Sequence, residues 1–319
     1  MMQVFLPAVI FYLILTNNTG VTELHVWNIV AATLGLNFIT FIFARFFLPA
    51  ILPKLGKRII NTNAVMLSAY APCITVVPIA AALSTNTHAT YAALFDIGDK
   101  FFIFIILFAY ISIEAQDKGH SFIDKTWLFF RKIILQPINL ALLASLLLVG
   151  LGIEFNELST ILQEVIISIK NPLLILIPIF IAGVVEIENI SSTLLAVLMC
   201  KYGFGFLVAS AFLYVFPDVI SANLGLLVLT APLASSSLWA KQNLLEFNQE
   251  KINRKFDLQF ADDLFTNSFG ISLILNFSIF SIGDVFVQPF WLMIAGISLL
   301  VIAGFCYRIK IIIDSKQPV

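Results

Sequence analysis

The chain has 319 residues, of which 60% are hydrophobic and only 12% charged, with a mean hydropathy of +0.99. Soluble domains carry roughly 25% charged residues and about half apolar ones, so this balance excludes an ordinary water-soluble protein. Eighteen Lys and Arg nearly cancel nineteen Asp and Glu, which leaves no basic field for nucleic acid.

Charges and Gly/Pro punctuation delimit ten apolar stretches in chain order: 1–16, 26–47, 63–83, 92–113, 133–153, 158–184, 193–216, 220–240, 264–282 and 289–307. At about 20 residues per span they consume roughly 200 residues and leave no room for a sizeable extramembrane domain. The first lacks the basic n-region and small-residue cleavage site of a signal peptide and reads as a retained span. Cys73, Cys200 and Cys306 each stand alone in apolar sequence. They form neither a disulfide framework nor a metal-ligand set, and no cofactor or metal is expected.

Lys and Arg set the orientation, because cytoplasmic connections carry their excess. Arg45, Lys54, Lys57 and Arg58 follow the second span, and Lys118, Lys125, Arg131 and Lys132 follow the fourth. Lys241, Lys251, Arg254 and Lys255 follow the eighth, and Arg308, Lys310 and Lys316 the tenth. If spans alternate, all four groups share one side, so both termini are expected in the cytoplasm of a multi-pass plasma-membrane protein. The connection 186–192 should lie on that side yet holds only Glu186 and Glu188, which count little in this rule.

Whole classes of activity lack their residues. The only Gly-Lys pair, Gly56-Lys57, has no upstream glycine at phosphate-loop spacing, so ATP-driven pumping by this chain is not expected. His25, His88 and His120 stand singly, with no metalloprotease or serine-hydrolase motif around them. Asp96 and Asp99, three residues apart, fall on one face of one helix rather than on two facing elements, which argues against an aspartyl protease. The chain is not expected to be an enzyme.

Two spans carry helix breakers. The third contains Pro72 and Pro78, and each removes a hydrogen bond and clashes with the preceding turn, so the helix is expected to be kinked or unwound between them. The eighth has Pro232 followed by Ser235, Ser236 and Ser237, hydroxyls that can satisfy freed backbone groups. Five spans separate the two breaks, the pointer to an inverted repeat with a site between two discontinuous helices. Ordinary proline kinks are the plainer alternative.

At these residues the sequence resembles the auxin efflux carrier family, which includes bacterial malate permeases and plant auxin exporters. In that family a Gly-x-Pro in a broken helix is followed by an Ala-rich segment and then an Asp. Here Thr75-Val76-Val77-Pro78-Ile79-Ala80-Ala81-Ala82-Leu83 and Ala92-Ala93-Leu94-Phe95-Asp96-Ile97-Gly98-Asp99 occupy those places. Pro232 to Ala240-Lys241 resembles the second broken helix, the segment Ala261-Asp262-Asp263 to Ser268 the start of the last helix, Gln136-Pro137-Ile138-Asn139 the entry to the second half, and Phe5-Leu6-Pro7 the second helix. The resemblance spans 1–282 and departs in three respects. The family's Asn falls on Ala71 and its Gly on Val76, nothing matches its first helix, and 289–307 is additional. It implies a carboxylate substrate such as malate or an auxin-like acid.

The expectation is therefore an all-α membrane protein of about ten transmembrane helices in two inverted five-helix repeats with two discontinuous crossing helices. Residues 1–113 form the first half, 127–282 the second, and 289–307 an extra span. The function expected is secondary transport of a small organic anion. Substrate-binding candidates are Pro72, Thr75, Pro78, Pro232, Ser235, Ser236, Ser237 and Lys201, and ion-coupling candidates are Asp96 and Asp99, read as the outer start of the fourth span. Lys201 reads either as a counter-charge for an anion or as an end residue reaching to the interface. Lys170, before Asn171-Pro172, reads as a structural break. Trp27, Trp127, Trp239 and Trp291 read as interfacial belts. Expected partners are the anion, a coupling proton or sodium ion, the lipid bilayer and a second copy in a homodimer. A sodium- or proton-coupled transporter of related fold, and a membrane protein with no transport activity, stay open as alternatives.

Overall fold

The computed structural model describes residues 2–16, 23–84, 86–115, 135, 137–170, 172, 190–218, 225–247, 249–283 and 287–314. Lys118, Lys125, Trp127, Arg131, Lys132, Gln136, Asn171, Glu186 and Glu188, and the second part of the 158–184 span, lie outside them, as does the side chain of Lys170. The described residues are helical, with no strand among them. Four helices are long and apolar enough to cross a membrane: Trp27–Ile51, Ser192–Val215, Leu258–Ile282 and Pro289–Ile312. A chain with these helices is a membrane protein by length and composition.

In chain order the elements are α1 (Met2–Thr16), α2 (Glu23–Ile42) running through a π-turn at Phe43–Phe47 into α3 (Leu48–Ile51), then α4 (Lys57–Leu67), α5 (Pro72–Thr75) and α6 (Val77–Leu83). Next come α7 (Asn86–Phe101), a π-turn at Phe102–Leu107, α8 (Phe108–Ala115), α9 (Pro137–Gly150), α10 (Thr160–Lys170) and α11 (Ser192–Val215). After α12 (Gly225–Thr230) and a tight turn at Ala231–Leu233 follow α13 (Leu238–Glu246), α14 (Gln249–Lys255), α15 (Leu258–Ile282) and α16 (Pro289–Asp314). Among the described residues the third and eighth stretches are broken into short helices, α4–α6 and α12–α13.

Contacts between distant residues fix which ends lie together. The turn between α14 and α15 is strapped to α4: Arg58 Nε donates to Phe256 O at 3.1 Å, Asn61 Nδ2 to Lys255 O at 3.1 Å, and Asp257 N to Thr62 Oγ1 at 2.8 Å. Arg45 lies 3.8 Å from Glu114, and Lys310 Nζ donates to Thr193 Oγ1 at 3.3 Å. At the opposite end Thr90 Oγ1 donates to Leu13 O at 3.1 Å and Ser210 Oγ to Pro289 O at 2.6 Å. The basic groups at 45, 58, 254–255 and 310 therefore gather at one end of the molecule.

Helices α11 and α16 approach backbone to backbone. A methyl group added at Gly203 would sit 3.0 Å from Gly296 O, and one added at Gly296 2.7 Å from Gly203 O. Small residues at such an interface exchange side-chain bulk for close van der Waals packing, the usual cohesion between membrane helices. We predict that Gly203→Leu forces these helices apart and lowers the thermal midpoint in detergent, at a cost of about 1–3 kcal/mol. Gly35→Ala, where an added methyl meets nothing within 4 Å and alanine is the better helix former, should not lower the midpoint in the same melt.

Candidate functional site

Pro72 decides where the first broken helix stops. A proline ring clashes with the carbonyl four residues earlier and drives the preceding residue out of the helical region. Four residues earlier is Ser68, where α4 ends, and Ala71 sits at φ −129°, ψ 63°. The break accordingly precedes Pro72, which opens α5, instead of lying between the two prolines. Pro78 falls in the first turn of α6 and accompanies only a bend at Val76 (φ −104°, ψ −50°). Nearby hydroxyls bond the carbonyls around the break: Ser68 Oγ donates to Ala64 O at 2.6 Å, and Thr75 Oγ1 donates at 3.0 Å to Ala71 O, which also accepts from Ile74 N and Thr75 N.

In the second broken helix, Pro232 lies in the tight turn after α12, and Ala234 is extended at φ −59°, ψ 154°. The chain stays extended until Ser237, whose Oγ accepts from Trp239 N at 3.2 Å and caps α13. Ser272 Oγ on α15 donates to Leu233 O at 2.8 Å. Consecutive serines suit this stretch because their side chains favour caps and turns over helix interiors.

The two extended stretches cross as an antiparallel pair. Ala71 N donates to Ser235 O and Ser237 N to Ala69 O, both at 3.0 Å, around a bridge between Tyr70 and Ser236. Tyr70 and Ser236 are therefore the pair that does not exchange hydrogen bonds, so their own N–H groups point away from each other. Buried, each needs an acceptor elsewhere. Tyr70 N donates to Asp99 Oδ1 at 2.8 Å and Ser236 N to Ser268 Oγ at 3.1 Å. Each acceptor sits on a helix that follows its break. Helices ahead of the breaks bind the two side chains: Thr40 Oγ1 lies 2.8 Å from Tyr70 Oη, and Lys201 Nζ donates to Ser236 Oγ at 3.1 Å. Thr40, Tyr70 and Asp99 thus answer Lys201, Ser236 and Ser268 position for position, with the charges at non-equivalent places.

Lys201 is 3% exposed, 5.9 Å from the centroid of the Tyr70 ring and 5.7 Å from that of Tyr202. Its side chain turns into the crossing and does not reach for the end of the molecule. Among the described residues no carboxylate lies within 4.0 Å of it. Asp99, 1% exposed, also accepts from Asn37 Nδ2 at 2.8 Å. Gly98 permits this by letting α2 come close, since a methyl there would lie 2.6 Å from Thr33 Cβ. Asp96 has other company: it pairs with Lys100, which also donates to Asn139 Oδ1 on α9. Because α7 begins at Asn86, both carboxylates lie well inside the helix and not at its start. Ser235 Oγ is fully buried with no hydrogen-bond partner among the described residues.

All the residues nominated from sequence are thus buried at or beside the crossing, and Lys201 and Ser236 are in direct contact. Tyr70, Thr40, Asn37 and Ser268 were missed. Their signal was available only for Ser268, which with Ser272 and Asn276 repeats every four residues on one face of an apolar helix. Trp239 packs edge-on against Phe104 at 6.5 Å just past the break and is not at a helix end facing outward, whereas Trp27 and Trp291 are exposed near helix starts. On the side of the crossing away from the basic end, an apolar cavity of about 280 Å³ opens between α2, α7, α11 and α12, bounded by Leu36, Phe95, Val208, Val228 and Pro232.

No known family model matches the chain, and no curated protein matches it.

Removing the acceptor of a buried N–H leaves that group unpaired, at about 1–3 kcal/mol. Ser268→Ala should therefore lower the unfolding midpoint measurably, while Ser278→Ala, whose hydroxyl bonds Ile274 O at an exposed site, should not.

Proposed function

We propose that this protein is a secondary transporter of a small organic anion, in which two inverted halves meet at the crossing of α4–α6 with α12–α13. The observation that carries the reading is Lys201. A buried ammonium has three donors and a full charge, costly in an apolar interior unless it meets an anion or water. Ser236 supplies a single hydroxyl. An anion seated at Lys201 would gain charge-assisted hydrogen bonds of roughly 1.5–3 kcal/mol each. Ser235, whose hydroxyl is unpaired and buried, offers a further donor. Thr75, Ser237, Pro72, Pro78 and Pro232 set the backbone course of the breaks around this point. The apolar cavity that ends at Pro232 supports an organic anion over an inorganic one, because a carbon skeleton can occupy it.

The matching sets around Tyr70 and Ser236 support an inverted repeat, as does the fragmentation of the third and eighth stretches. The likeness to auxin efflux carriers agrees with this arrangement and favours a carboxylate. The gathering of basic groups at one end supports a cytoplasmic location for that end.

Purified protein in liposomes should exchange at least one labelled carboxylate across the membrane without ATP. Lys201→Gln should weaken that exchange by about tenfold or more, one decade being about 1.4 kcal/mol, while Arg254→Gln at the basic end, where the side chain is exposed, should not. Failure of the wild type to exchange any carboxylate, or unimpaired exchange by a folded Lys201→Gln variant, overturns the reading. For orientation, a cysteine at Thr87 should react with an impermeant maleimide on intact cells, and one at Lys251 only after permeabilisation. The reverse pattern would invert the topology.

A further inference from the structure

Two buried ionisable side chains, one acidic and one basic, flank one residue. Tyr70 gives its N–H to Asp99 at 2.8 Å and turns its ring to Lys201, 5.9 Å from the ammonium. Neither charge belongs to an ion pair among the described residues. In an apolar interior, electrostatic fields are weakly screened, so each charge offsets the isolation of the other across Tyr70. With both groups ionised and no anion bound, the crossing is neutral as a unit.

From this geometry we propose that the coupling ion is a proton, that Asp99 carries it, and that proton and anion bind with positive linkage. The proposal rests on the organic-anion reading given above. An anion at Lys201 neutralises the ammonium and leaves Asp99 as an uncompensated buried negative charge. A proton taken from solvent onto the Asp99 carboxylate removes that charge. With a monovalent anion, the loaded crossing then holds ammonium, anion and neutral carboxylic acid, and its net charge is what it was before loading. Linkage is reciprocal, so a proton on Asp99 must favour the anion by the same factor.

The titratable groups facing Asp99 are Asp96 and Lys100 on its own helix, Tyr70 and Cys73 from the first broken helix, and Lys201 from α11. Asp96 and Lys100 neutralise each other as an ion pair, and α2 presents the uncharged Asn37. Lys201 is thus the facing charge whose balance an arriving anion changes. A metal ion fits Asp99 less well than a proton does. Oδ1 already accepts two N–H donors, from Tyr70 and Asn37, which a cation would have to displace, whereas a proton needs one oxygen only.

The test uses the full chain in liposomes with labelled malate and labelled lactate as probes, protein-free liposomes as the blank, and the membrane voltage clamped at zero. Exchange of a probe with no gradient establishes transport. An inward proton gradient of one pH unit should then concentrate that probe about tenfold in the lumen, one decade per coupled proton. A sodium gradient should do nothing. Asp99→Asn should abolish the proton-driven accumulation, and Asp99→Glu should retain it. Exchange without a response to the proton gradient, accumulation driven by sodium in its place, or proton-driven accumulation in Asp99→Asn each overturns the proton assignment and leaves the anion reading standing. Absence of exchange for both probes removes the anion reading for them and the proton assignment with it. Should Asp99→Asn fail to fold, the wild-type responses to the two gradients decide between proton and sodium.

Discussion

Two backbone N–H groups, on Tyr70 and Ser236, govern the centre of this molecule. Interrupted helices must route unpaired peptide groups through an apolar interior, where each orphan costs several kcal/mol. The crossing solves half of the problem by pairing the two interruptions with each other. Geometry forbids it from solving the other half, since the residues of the bridge direct their own amides outward. Polar side chains on neighbouring helices are obligatory for that reason alone, before any function is considered. Ser268 meets the requirement with a neutral hydroxyl and Asp99 with a carboxylate. A hydroxyl would have served at both places, so the charge on Asp99 exceeds what the backbone demands.

The same reasoning separates Lys201 from the structural polar groups around it. Thr40 occupies the matching place beside Tyr70 and satisfies its partner with a hydroxyl. Lys201 brings a charge that its contact with Ser236 does not need. Surrounding elements are arranged to hold these groups steady. The strap from Arg58, Asn61 and Thr62 anchors α4 to the start of α15, so that the acceptor Ser268 and the donor at Ser236 keep register. A π-turn at Phe102–Leu107 disturbs the carbonyl ladder of α7, and Asn243 Nδ2 on α13 takes up Ile103 O at 3.1 Å. That bond ties the half-helix beyond the second break to the helix that carries Asp99. Irregular turns of this kind recur at functional sites because they re-aim the residues beside them.

Much of the fold's grammar was readable from residue order. Pro72 and Pro232 announced the two interrupted helices, because prolines act locally, and of the hydroxyls of Ser235–Ser237, expected to satisfy freed backbone groups, that of Ser237 does so by accepting from Trp239 N. Placement of the first break failed by one turn. A proline disrupts the turn before it, so the rule pointed to Ser68, while the presence of Pro78 drew attention downstream. Lys201 was readable as an intramembrane charge but its direction was not, since a lysine eight residues into a span can face inward or reach outward with equal chemistry. Asp96 and Asp99 looked like a matched pair on one face. Lys100 stands four residues beyond Asp96, where helical spacing puts a partner, whereas Tyr70 meets Asp99 only through how α7 packs. Asn37 and Thr40 were invisible as site residues because their part depends on contacts 62 and 30 residues away in sequence.

The bridge between Tyr70 and Ser236 is the feature on which the site depends, and proximity can be measured directly. In an antiparallel pair of this type the opposed Cα atoms lie about 4.5 Å apart, within reach of a disulfide. With Cys73, Cys200 and Cys306 replaced by serine, the double substitution Tyr70→Cys and Ser236→Cys should close an intramolecular disulfide under mild oxidant, identified by mass spectrometry of the linked peptides. Thr75→Cys with Ser236→Cys should not. Absence of the 70–236 linkage in folded protein would contradict the crossing and the site built on it.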